Sequence, residues 1–109
     1  MRRFGQMIKL KPEGAGEYKR LHKKGNTFPG VNEMIKKCNI SNYSIYLKDN
    51  VLFAYFEYIG SDFDVDMQKM AADPATQKWW VTVKPLMQPV KNIKEGEFWA
   101  NMEEIYHLS

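Results

Sequence analysis

The chain has 109 residues, 44% of them hydrophobic and 27% charged, with a formal net charge of +3. That length suits a single domain, residues 1–109, large enough to bury roughly two-thirds of its unfolded-state surface. The charge is too small and too dispersed for a nucleic-acid footprint, which needs a dense basic stripe or arm. The pairs Lys19-Arg20 and Lys23-Lys24 read as a solvated helix face.

The elements follow in chain order. Phe4 to Leu10 alternates as a strand with Phe4, Gln6, Ile8 and Leu10 on one face. Pro12 starts a helix running to about Lys24, and Gly25-Asn26 breaks it. Pro29 begins a second helical piece with Val31, Met34, Ile35 and Cys38 at helical spacing, ended by Asn39. Ile40 to Leu47 and Val51 to Ile59 read as a hairpin around Lys48-Asp49-Asn50. Gly60-Ser61-Asp62 caps a helix with Phe63, Met67, Met70 and Ala71 inward. Asp73-Pro74 interrupts it, and a further helix carries Trp79, Trp80 and Val83 until Pro85 and Pro89. A loop runs to Gly96, and Phe98 to His107 is the last strand.

The order is β-α-β-β-α-β with each helical crossover split in two. It predicts an α+β, ferredoxin-like antiparallel sheet covered by helices on one face. Both faces of Val51–Ile59 are mostly apolar: Val51, Phe53, Tyr55 and Ile59 on one, Leu52, Ala54, Phe56 and Tyr58 on the other. A sheet with one wet face would alternate polar and apolar. The second face is therefore expected to be covered, by another copy of the sheet in a homodimer or by use as a pocket wall.

Tyr18 and His22 lie four residues apart, on one face of a helix that has almost no aliphatic stripe. A phenol and an imidazole pointing inward suggest a wet, chemical pocket. Tyr43 and the pair Trp79-Trp80 are the other ring-bearing candidates for its walls, and tyrosine, histidine and tryptophan together suit a sugar-handling site. Two adjacent helical residues point about 100° apart, so one tryptophan is expected in the core and one in the pocket.

Other constellations read as structural. Cys38 is a helix core position with no partner histidine at an obvious spacing, and one cysteine allows no intrachain disulfide, so a reducing cytoplasmic location is the default. Asp62, Asp64 and Asp66 lack the glycine and closing glutamate of a calcium loop, and His22 and His107 are far apart, so no metal is expected. Gly14 and Gly16 lack the pattern of a phosphate loop. No apolar run reaches membrane-spanning length, and the N-terminus carries no apolar signal core. Trp99 is expected in the core or at a dimer interface, Tyr46, Tyr55 and Tyr58 in the sheet, and His107 outside any site.

Four segments together resemble the L-rhamnose mutarotase family: Glu17-Tyr18-Lys19-Arg20-Leu21-His22, Asn42-Tyr43-Ser44-Ile45-Tyr46-Leu47, Leu52-Phe53-Ala54-Tyr55 and Gln77-Lys78-Trp79-Trp80. The resemblance runs from the first strand to the last, in matching order and spacing. It implies a dimeric α+β barrel that interconverts the α and β anomers of L-rhamnose without metal or organic cofactor. By the same resemblance His22 corresponds to the proton donor, and Tyr18, Tyr43, Trp79 and Trp80 correspond to sugar-binding residues. One stretch departs from the family. The link Lys23 to Thr27 is longer, and Phe28-Pro29-Gly30-Val31 replaces a Trp-Pro-Glu-Leu-like helix start. This departure bears on which sugar is preferred. Mutarotation needs one group to take the anomeric proton and another to protonate the ring oxygen. His22 is assigned to the ring oxygen because imidazole titrates near neutrality, and the base is left open among water, a tyrosine and a carboxylate. Two other classes fit the same architecture, a cofactor-free monooxygenase of aromatic substrates and a non-catalytic sugar-binding domain.

Overall fold

The alternating run near the N-terminus forms strand β1 (Arg2–Leu10) in a computed structural model that describes all 109 residues. After a single 3₁₀ turn at Pro12–Gly14 come α1 (Ala15–His22), α2 (Val31–Lys37), β2 (Ile40–Lys48) and β3 (Val51–Tyr58). Then follow α3 (Phe63–Ala72), α4 (Pro74–Val83), a 3₁₀ turn at Lys84–Leu86, β4 (Met87–Gln88) and β5 (Ala100–Met102). Strands pair antiparallel in the order β2-β3-β1-β4, with β5 sharing the same edge of β1 as β4. The predicted ferredoxin-like order is therefore present, with the fourth edge position divided between two short strands.

Local chemistry explains the boundaries. The expected first helix runs two residues too long, since α1 stops at His22 and Lys23 is extended. Side chains add to the carbonyls near its end: His22 Nδ1 lies 2.7 Å from Tyr18 O, and Asn26 Nδ2 donates at 2.7 Å to Arg20 O, which also accepts from Lys23 N. Asn39 (φ 66°) ends the turn after α2, and Asp49 and Asn50, with φ of 51° and 58°, make the two-residue reversal between β2 and β3. Asp62 caps α3 by accepting from Val65 N, and Asp73 caps α4 by accepting from Thr76 N. Ala71, expected inward, is exposed.

The last strand is the largest correction. It was expected over Phe98 to His107, but only Ala100–Met102 pairs with β1. Beyond Met102 the chain stays beside β1 through an ion pair, Arg3 Nη2 to Glu104 Oε1 at 3.0 Å, rather than through a ladder. Ile105, Tyr106 and Leu108 are exposed there, and so is His107. No helix is long and apolar enough to cross a membrane.

Helices cover one face of the sheet, and the core under them is in two parts. One holds Ile8, Leu10, Leu21, Leu52, Val83 and Met87. The other holds Ile40, Phe56 and Tyr58, with Phe4, Phe63, Met67 and Met70 against them. A cavity of about 1270 Å³ reaches residues of both parts. Buried Asp66 fixes the second part, accepting from Tyr58 Oη at 2.5 Å and Asn39 Nδ2 at 2.9 Å. On the opposite face Tyr46 (66% exposed), Phe53 and Met102 stand open, with Val51 and Tyr55 half-buried beside them. Ile59, expected on that face, lies past the end of β3, and Glu57 is the polar member of the row.

Candidate active site

The site begins with the last turn of α1. Tyr18 and His22 stack one turn apart, ring centroids 4.0 Å apart and planes at 26°. A carbonyl oxygen only accepts, so the 2.7 Å contact with Tyr18 O places the proton of a neutral His22 on Nδ1 and leaves Nε2 with a free lone pair. Burial lowers the pKa of His22 below its ordinary value, partly opposed by that same bond to the Tyr18 carbonyl. The ring is therefore neutral and basic at Nε2 near neutrality. The Tyr18 phenol is pushed up by burial and further by the nearby Tyr43, so it stays a hydrogen-bond donor.

Tyr43 reaches the same cavity because of a bulge. The β2–β3 register runs Ser41↔Glu57 and then Ser44↔Tyr55, so Asn42 and Tyr43 together oppose the single residue Phe56. Without that extra residue, Ile40 and Tyr43 would face opposite sides of a regular strand. With it, Ile40, Tyr43, Ile45 and Leu47 all turn toward the helices, and Tyr43 rests 5.4 Å from the Phe56 ring. Asn42 takes the strained backbone (φ 51°) and ties itself to Glu57 Oε1 at 2.7 Å. Tyr43 as a whole is 41% exposed, but its phenol end is enclosed, and burial pushes it up to about 12.

Trp79 belongs to the buried core, as expected of one of the pair, Trp80 is only partly buried against it, and both also line the cavity. Trp79 is 8% exposed and stands edge-on to His22 at 5.1 Å and to Phe28 at 5.0 Å. Trp80 is more open and turns toward the β4–β5 connection, with Lys84 Nζ 4.7 Å over its ring and 5.3 Å from Phe98. Phe28 thus backs Trp79. Trp99 is half-buried against the core and also lines the cavity. Cys38 is buried at the end of α2.

The structure brings Tyr18, His22, Tyr43, Trp79 and Trp80 onto one cavity. Among the polar residues that also line it are Gln6 on β1, Glu97 in the β4–β5 connection and Asn101 on β5, none of them singled out by the sequence. Gln6 left a signal, being the one amide on the otherwise apolar inward face of β1. Glu97 and Asn101 left none, since only tertiary pairing carries them to β1.

The fold is α+β, and its cavity gathers an imidazole, phenols and indoles beside polar side chains from β1 and β5. A sequence profile of the L-rhamnose mutarotase family matches residues 3–108. L-rhamnose mutarotases from Oceanobacillus iheyensis and Listeria monocytogenes are each 30% identical to the chain; the first match covers 99% of both chains, the second 100%. The chain belongs to the L-rhamnose mutarotase family, and is thereby an isomerase. Two solved structures share its fold. The L-rhamnose mutarotase of Formosa agariphila superposes with a TM-score of 0.75 at 21% identity, covering 100% of both chains. The tetracenomycin F2 cyclase of Streptomyces glaucescens, a type-II polyketide cyclase, superposes at 0.71 with 13% identity over 100% of this chain and 98% of that one. Two chemistries on one scaffold leave the reaction to the side chains of the site.

Proposed function

We propose that the protein interconverts the α and β anomers of L-rhamnose, with His22 moving the proton and Tyr18, Tyr43, Trp79 and Trp80 holding the sugar. The observation that carries this is the His22 ring, tied at Nδ1 to the Tyr18 carbonyl and bare at Nε2 in a cavity walled by phenols and indoles. Ring opening moves one proton from the anomeric oxygen to the ring oxygen while the bond from the anomeric carbon to the ring oxygen breaks. Both oxygens are bonded to the same carbon, so a single nitrogen can serve both. Neutral His22 takes the anomeric proton at Nε2, and as imidazolium it donates that proton to the departing ring oxygen. The aldehyde then turns about its bond to the neighbouring carbon, and closure on the other face runs the same transfers backwards. Tyr18 and Tyr43 stay protonated and hold hydroxyls, while the indoles take the C–H and methyl surface of the deoxysugar.

The open outer face of the sheet, with Tyr46, Phe53 and Met102 exposed, supports a homodimer built by apposing two such faces. The lone cysteine suits a reducing compartment, and we place the protein in the cytoplasm.

Anomeric exchange of L-rhamnose, followed by saturation-transfer NMR, tests the reaction. Wild-type protein accelerates exchange, and His22→Ala loses about 10²–10⁴-fold, the usual contribution of positioned acid–base catalysis. Exchange that survives in His22→Ala removes the role given to His22. No acceleration with L-rhamnose removes the substrate.

A further inference from the structure

We propose that Gln6, oriented by Asn101 and Glu97, is the residue that reads a pair of neighbouring hydroxyls on the sugar. This rests on the sugar-handling reading of the cavity.

The inward face of β1 is apolar except at this position. Phe4 stacks on Phe56 and Phe63, each at 4.7 Å, and Ile8 and Leu10 are fully buried. Gln6 sits between them and lines the cavity. Its Nε2 donates to Asn101 Oδ1 at 2.9 Å. Asn101 Nδ2 in turn donates to Glu97 Oε2 at 2.8 Å, and the Asn101 backbone N–H approaches the same oxygen at 3.4 Å. The other Glu97 oxygen accepts from Lys94 N at 3.0 Å.

The direction of this chain follows from the carboxylate. The Lys94 N–H, and then the Asn101 amide, hold the Glu97 carboxyl below its usual range, so it is ionised and can only accept. Asn101 must therefore turn its NH₂ to Glu97 and its oxygen to Gln6, and Gln6 must turn its NH₂ to Asn101. The orientation of both amides, which either side chain alone would leave free, is set by one charge at the end of the line. Gln6 is left with Oε1 and a second Nε2 proton that no other side chain engages. One acceptor and one donor on a planar amide match two adjacent hydroxyls, each of which both donates and accepts. The rings of His22, Trp79 and Trp80 supply other walls of the same cavity. A pyranose has the same division into a hydroxyl edge and a C–H face. Gln6 is thus a binding residue, and Asn101 and Glu97 are positioning residues.

Two variants test this. Gln6→Met keeps length and removes both polar groups. Glu97→Gln keeps shape and removes the obligate acceptor. L-rhamnose exchange kinetics are measured alongside binding of 1,5-anhydro-L-rhamnitol, which has no anomeric hydroxyl and cannot open, by quenching of tryptophan fluorescence. Thermal melts confirm that both variants are folded. Gln6→Met raises KM for L-rhamnose and Kd for the anhydro sugar by roughly tenfold, the effect of losing hydrogen bonds to a bound hydroxyl, while kcat stays close to wild type. Glu97→Gln shifts both in the same direction by less, and an analogue lacking one of the two hydroxyls no longer distinguishes wild type from Gln6→Met. KM and Kd unchanged in a folded Gln6→Met overturn the assignment, as does a fall in kcat alone. Wild-type protein that binds the anhydro sugar through Gln6 but does not accelerate exchange would sink the mutarotase reading and leave this one standing. Wild-type protein that does neither overturns both.

Discussion

Protonating His22 should switch the enzyme off, and the structure sets where. Burial lowers this histidine's pKa from its ordinary 6.5, and the bond from Nδ1–H to the Tyr18 carbonyl offsets part of that loss. Even an unshifted imidazole is about three-quarters neutral at about pH 7, so the base at Nε2 is available through neutrality. The logarithm of kcat/KM should therefore be flat near neutrality and fall with unit slope on the acid side, breaking at a pKa below 6.5. No alkaline limb is expected near neutrality, because burial keeps the Tyr18 and Tyr43 phenols protonated. The same depressed pKa adds stability that is present above the unfolded histidine's value and is lost as pH falls through the folded one. In His22→Ala the acid limb should vanish together with about 10²–10⁴-fold of the rate. Removing the ring also deprives Tyr18, at 4.0 Å, and Trp79, at 5.1 Å, of a neighbour. Two such ring contacts suggest a stability loss of about 1–3 kcal/mol, so the assay belongs well below the variant's melting temperature. Anomeric exchange by NMR at a series of pH values, with the protein-free rate subtracted at each, gives the profile. A wild-type rate that rises as pH drops below 6.5 would mean that the imidazolium is the resting form, and the proton cycle described above would be refuted.

Two further outcomes concern the frame that carries the site. An added Cβ at Gly60 would meet Tyr58 Oη and Asn39 Nδ2, the two donors to buried Asp66. Gly60→Ala should therefore cost about 1–3 kcal/mol in urea denaturation, as overpacking does; an unchanged midpoint would show that the junction yields freely. The cross-strand neighbours Tyr46 and Phe53 lie on the open outer face. In sedimentation velocity at micromolar concentration the wild type should run as a dimer and the double variant Tyr46→Lys/Phe53→Lys as a folded monomer. A wild type that sediments as a monomer would leave that face without the partner proposed for it.

Local patterning was enough for the element types and their order. Strand alternation along Phe4–Leu10, the apolar run Val51–Tyr58, the asparagines and aspartates at turns, and the caps Asp62 and Asp73 are consequences of near neighbours in the chain, and they appear where expected. The Tyr18/His22 pair was legible for the same reason, since helical spacing alone puts the two rings together. What the sequence left hidden depends on partners distant along the chain. Phe98 and Trp99 cannot extend the last strand because β4 already occupies Lys9–Leu10, while past Met102 the chain is held beside β1 by the Arg3–Glu104 ion pair and not by a ladder. The bulge at Asn42-Tyr43 exists only against Phe56, so the strand's own alternation could not reveal that Tyr43 shares a face with Ile40. The lowering of the His22 pKa follows from its burial, which no spacing encodes. The orientation of Gln6 is fixed by Glu97, 91 positions further along the chain, through hydrogen bonds that need β5 docked on β1. Short-range periodicity therefore determined which rings this protein can offer a ligand. Only tertiary pairing and burial decided which way they face and which protons they hold.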